Sequence, residues 1–213
     1  MKKDLISMNI LVDSSGSMAS IANDMVGALN HLVDGNRELD VLVTYSIFSS
    51  SYQPVFAEKP IKEVEQFSLK PNASTALVES ACKMIDEVGV RLAAKPESER
   101  PEKVMFVIVT DGEENSSAPE YTREMLLAKI KEQTEKYNWV FLYLGADQDA
   151  ISVAKKYGIS PDKAAYYERR NTRSSGDVLS KKLQQMHDAD FFALQDVGFD
   201  KEDRDQLGGD ETE

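Results

Sequence analysis

Apolar positions along the chain change their period in a regular way. Residues 6–12 are short, mostly apolar and rich in branched side chains, the pattern of a buried strand, and the run ends abruptly at Asp13. Beyond it, Ile21, Met25, Leu29 and Leu32 recur every three or four residues, which predicts a helix over 21–33 closed by Gly35. Residues 39–48 read as a second strand. Residues 52–61 read as its hairpin partner, which Pro54 and Pro60 confine to the edge of a sheet. A helix over 76–92 turns Leu77, Ala81, Met84, Ile85 and Val88 inward, and the unbroken apolar run 104–109 suits a strand buried on both faces. A helix over 121–137, with Pro119 just before it, a strand over 139–144, a short helix over 150–157, a short strand over 164–167 and a last helix over 175–192 complete the alternation. The prediction is an α/β fold, doubly wound, with a mainly parallel central sheet, one antiparallel edge strand and helices on both faces. The domain spans 1–195. Residues 93–102, charged and proline-bearing, read as a surface loop, and 196–213, rich in Asp and Glu, as a disordered acidic tail.

Charge narrows the partners. The 213 residues carry a formal net charge of -12, which argues against nucleic acid, because phosphate contacts need a basic surface. One basic cluster stands out, Arg169, Arg170 and Arg173, placed after the last strand, where it could meet an acidic partner or the acidic tail. No run approaches the ~20 apolar residues needed to cross a membrane, and no cleavage pattern follows the N-terminus. The single cysteine, Cys82, rules out an internal disulfide. These features point to a soluble cytoplasmic protein.

Three stretches carry candidate chemistry. The first strand runs into Asp13-Ser-Ser15-Gly-Ser17, one carboxylate and two spaced hydroxyls with a glycine for a tight turn. Ser17 also stands where it could cap the following helix. Thr75 opens the second helix, and the central strand ends in Thr110-Asp111-Gly112. All of these donors are oxygen, the preference of hard divalent cations. In a parallel sheet such strand ends gather on one rim, where ligands bind. Glu113, Glu114, Asp147 and Asp149 fall in loops around that rim, and Glu113 is close enough in sequence to support Asp111. A nucleophilic serine would need a base, and His31 and His187 lie outside the strand-end loops. An aspartate-nucleophile phosphatase would carry a second acid two residues after Asp13, where this chain has Ser15.

The order Asp-x-Ser-x-Ser, then a lone Thr, then Thr-Asp-Gly resembles the von Willebrand factor type A (vWA) family and its metal-ion-dependent adhesion site, in particular stand-alone intracellular bacterial or phage members. The matching positions are Asp13, Ser15, Ser17, Thr75 and Asp111, and the alternation of elements agrees over most of the chain. The resemblance implies a Rossmann-like vWA fold, Mg²⁺ or Mn²⁺ at those five residues, and no catalysis. It implies a metal-dependent protein-binding module, in which the cation bridges to an Asp or Glu of a partner such as an AAA+ ATPase or its substrate. The alternative is a metal-dependent, phosphatase-like hydrolase using Asp13.

Overall fold

The computed structural model describes residues 1–112, 114–146 and 149–208. Its six strands are β1 (Lys2–Asp13), β2 (Val41–Phe48), β3 (Tyr52–Pro60), β4 (Pro101–Thr110), β5 (Val140–Gly145) and β6 (Ala164–Tyr166). They form one sheet in the order β3-β2-β1-β4-β5-β6, with only the β2–β3 pairing antiparallel. The expected doubly wound sheet with an antiparallel edge is therefore what the chain forms. Pro54 and Pro60 lie in edge strand β3, where a missing N–H disturbs one ladder at most.

Helices α1 (Ala22–Asp34), α5 (Ser174–Asp188) and α6 (Lys201–Leu207) cover one face; α2 (Leu77–Ala94), α3 (Arg123–Tyr137) and α4 (Ala150–Lys156) cover the other. The strand alternation explains the split. Ile6, Met8, Ile10 and Val12 of β1 pack under α1 and α5, while Leu11, with Phe106 and Ile108 of β4, packs under α2. Ser7 and Asn9, which interrupt the apolar run of β1, are buried on the α2 side, where the Asn9 amide donates to Met105 O at 3.2 Å. Cys82 is buried in α2, and burial pushes its thiol up to about 11. No helix among the described residues is long and apolar enough to cross a membrane.

Several expectations change, among them the last helix, expected over 175–192, which ends at Asp188. The loop expected over 93–102 is short, because α2 continues to Ala94 and β4 begins at Pro101; Arg100 ties the two by donating to Ala93 O and Lys95 O at 3.0 and 2.9 Å. The helix expected from 121 begins at Arg123, capped by the Thr122 hydroxyl, which accepts from Met125 N at 3.2 Å. Most of the stretch expected to be a disordered tail is folded as far as Gly208. Val197, Phe199 and Leu207 are buried, and Asp203, with no exposure, pairs with equally buried Lys182 of α5. The acidic composition masked these few apolar anchors and a capping box between Asp200 and Asp203. Residues 209–213 of the tail lie outside the described residues, as do Glu113 and Asp147.

Candidate metal centre

The sheet order creates the site. From β1 the chain winds outward to β2 and β3, then crosses to β4 on the other flank, so β1 and β4 are adjacent strands whose connections diverge. The crevice beyond their carboxyl ends is where α/β sheets bind ligands. Asp13 ends β1, and Asp111 directly follows β4.

Asp13 is fully buried, and both of its oxygens are engaged. Oδ1 accepts the Ser15 backbone N–H at 2.7 Å, and Oδ2 accepts the Thr110 hydroxyl at 2.7 Å. Burial raises its carboxyl above the usual range. The hydrogen bonds from Thr110 and Ser15 oppose the rise, and the nearby charge of Asp111 adds to it. The Ser17 hydroxyl donates to Asp111 Oδ1 at 2.7 Å. Its proton being committed there, the Ser15 hydroxyl 3.0 Å away donates to Ser17 Oγ. The two hydroxyls thus chain the β1 loop to the β4 loop. Ser17 does not cap a helix as expected: residues Gly16–Ser20 form a 3-10 turn ahead of α1, and the hydroxyl is spent on Asp111.

Thr75 arrives from a third loop. Its backbone is clamped by Asn115: the Thr75 N–H donates to Asn115 Oδ1 at 2.9 Å, and Asn115 N–H donates back to Thr75 O at 3.0 Å. A Cβ added at Gly112 would stand 3.6 Å from both Thr75 Oγ1 and Ser17 Oγ, so the two hydroxyls converge over this glycine. The loops are laced together by Gly16 N–H to Ala73 O at 3.0 Å and Asn72 N–H to Ser14 O at 2.7 Å. Ala73 adopts φ 56°, a left-handed backbone that is costly for a residue with a Cβ and is held by those bonds. Glu114 serves the architecture: its carboxylate accepts from the Val78, Ser116 and Ser117 backbone N–H groups and so caps α2.

All five sequence-identified residues therefore meet at one rim. Two further groups belong with them. Thr110 was legible only as part of the strand end, and Arg169 only as part of a basic cluster that could sit on the same rim. The Arg169 guanidinium reaches in from beyond β6, with Nη1 2.6 Å from Asp111 Oδ2 as an ion pair, while Nη1 also donates to Ser17 O at 3.1 Å. Its neighbours are occupied elsewhere, Arg170 with Glu168 and Arg173 with Asp24. His31 pairs with Asp177, and His187 with Asp188.

The donor set of two carboxylates and three hydroxyls is chemically suited to a hard divalent cation. Among the described residues, no three His, Cys, Asp or Glu side chains gather at one point, so any such ion would rest largely on hydroxyls.

No protein-family model matches the chain, and no curated protein matches it. Solved structures do. The von Willebrand factor type A structure from Catenulispora acidiphila aligns with TM-score 0.56 at 15% identity, covering 83% of this chain and 42% of that one. The manganese-loaded TRAP protein of Plasmodium vivax aligns with TM-score 0.55 at 16% identity over 82% and 73%. The vWF domain of the type V pili tip protein Mfa5 from Porphyromonas gingivalis aligns with TM-score 0.59 at 8% identity over 87% and 97%. The likeness is one of fold: this chain has the architecture of a von Willebrand factor type A domain.

Proposed function

We propose that the chain is a metal-dependent protein-binding module. Asp13, Ser15, Ser17, Thr75 and Asp111 would hold Mg²⁺ or Mn²⁺, and a partner protein would present an Asp or Glu to the rim. The observation that carries this reading is the hydrogen-bonded chain Ser15–Ser17–Asp111, which draws oxygen donors from two loops to one point, with Thr75 converging from a third. A divalent cation held by so few carboxylates supplies residual positive charge for an external carboxylate oxygen. The manganese-loaded state of the TRAP relative and the place of the Mfa5 domain in a pili tip protein support a metal-dependent binding role.

The hydrolase reading is weaker. Asp13 is fully buried, with both oxygens already accepting hydrogen bonds, a poor state for a nucleophile. Neither histidine offers Ser15 or Ser17 a base, since each is paired with an acid away from the rim.

The test is capture of the native partner, an AAA+ ATPase or its substrate being the proposed class, by wild type and Thr75→Ala, each with Mg²⁺ and with chelator. Wild type binds only with metal. Thr75→Ala loses about 2–5 kcal/mol of binding, roughly thirty-fold or more, while its melting temperature stays close to wild type. Equal capture by wild type with and without chelator rejects the reading.

A further inference from the structure

Arg169 does more than decorate the rim. Asp111 has no side-chain exposure, and its Oδ1 is taken by Ser17; the remaining oxygen lies under the Arg169 guanidinium. The same guanidinium donates to two backbone carbonyls, Ser17 O and Asp111 O, at 3.1 and 3.3 Å. One cationic side chain thus spans both loops that supply the candidate donors. A planar guanidinium, with donors spread over separate nitrogens, suits this fork better than the single compact ammonium of a lysine.

The reach of Arg169 is set from behind. The Glu168 N–H donates to Leu207 O at the end of α6 at 2.9 Å, and buried Thr172 donates through its hydroxyl to Arg169 O at 2.7 Å. Gly208, at φ 84°, closes α6 so tightly against this turn that a Cβ there would lie 2.3 Å from Asn171 Nδ2 and 3.0 Å from Glu168 Oε2. The buried Lys182–Asp203 pair fixes α6 to α5. The outer part of the arginine stays in solvent, with 41% of its side chain exposed, so it can swing away without unpacking the core.

We propose that Arg169 is a tethered counter-ion that competes with the divalent cation for Asp111, its position set by the α6 brace. This rests on the metal-site reading above. A guanidinium and a divalent cation at one carboxylate repel each other, so loading the site requires Arg169 to give way, and the apparent metal affinity is set lower than the donors alone would give.

Calorimetric titration of the full chain with Mg²⁺ and with Mn²⁺, paired with thermal melts, tests this. Arg169→Gln binds both ions more tightly than wild type by roughly tenfold, the scale of losing one competing ion pair at a buried carboxylate. Its metal-free melting temperature falls, and its gain on adding metal grows. Arg169→Lys lies between the two, and it carries the comparison if Arg169→Gln does not melt cooperatively. Gly208→Ala displaces the brace without touching the guanidinium and tightens binding by less. Equal or weaker metal binding by folded Arg169→Gln overturns this proposal while leaving the metal site standing. No binding by either folded wild type or folded Arg169→Gln overturns both.

Discussion

Replacing Asp13 by Asn isolates what a buried carboxylate does to this fold. The amide fits the same pocket: its oxygen accepts from Ser15 N, and its NH₂ donates to Thr110 Oγ1, whose own proton turns to Gly112 O, 3.1 Å away. The charge disappears without orphaning a partner. Because the folded Asp13 carboxyl is raised above its ordinary value, chiefly by burial, its contribution to stability is fully present below about pH 3.9 and is lost as pH rises through the raised value. Asp13→Asn is therefore more stable than metal-free wild type at neutral pH, read as a higher melting temperature. The gap narrows as pH falls toward 4. Urea melts from pH 4 to 7 check the sign, and a constant gap would refute the assignment. On the proposed metal-site reading, the same substitution is expected to abolish metal binding, so that stability is gained where function is lost.

At the scale of elements, α1 and α5 approach each other closely at one glycine. A Cβ at Gly176 would lie 2.3 Å from Ala28 O and 2.8 Å from Ala28 Cα, so the helices cross with no side chain between them. Gly176→Ala is expected to destabilise by about 1–3 kcal/mol despite the better helix propensity of alanine, read as a lower urea midpoint with an unchanged slope. This crossing also shows what the sequence could carry. In the sequence Gly176 is only a glycine in the first turn of α5; its neighbour Ala28 lies in another helix, and periodicity has no access to such pairings. The strands and most helices were legible because a local period of apolar residues specifies them, and the five rim residues because their order along the chain, in loops that follow strands or precede helices, resembles the vWA motif. The Glu114 cap on α2, the Ser17–Asp111 bond and the reach of Arg169 were hidden, each joining residues from separate loops. Helix α6 was hidden for another reason: its acidic composition outweighed three apolar anchors.

For the whole molecule, α6 is attached through charge. Lys182 and Asp203 are both fully buried, and Lys181 adds ion pairs to Asp200 and Asp203 at 3.1 and 2.9 Å. Lys182→Ala leaves Asp203 buried without its main partner and is expected to destabilise by about 3–5 kcal/mol, measured by chemical denaturation. A loss below 1 kcal/mol would mean that apolar packing of Leu207 and Phe199 holds this end by itself. The sheet order has a different kind of consequence, one of timing. β1 is synthesised before its sheet neighbours β2 and β4, yet it lies between them, and the Thr110–Asp13 bond that ties its end to β4 joins residues 97 apart. The β2–β3 hairpin can form early on one flank. The other edge of β1 stays unpaired until β4 has been made, a long wait for an apolar strand with open hydrogen-bonding groups. The rim where Asp13 and Asp111 meet cannot exist before that moment, so for this protein a nascent chain passes through a stage with a sticky strand edge and no site at all.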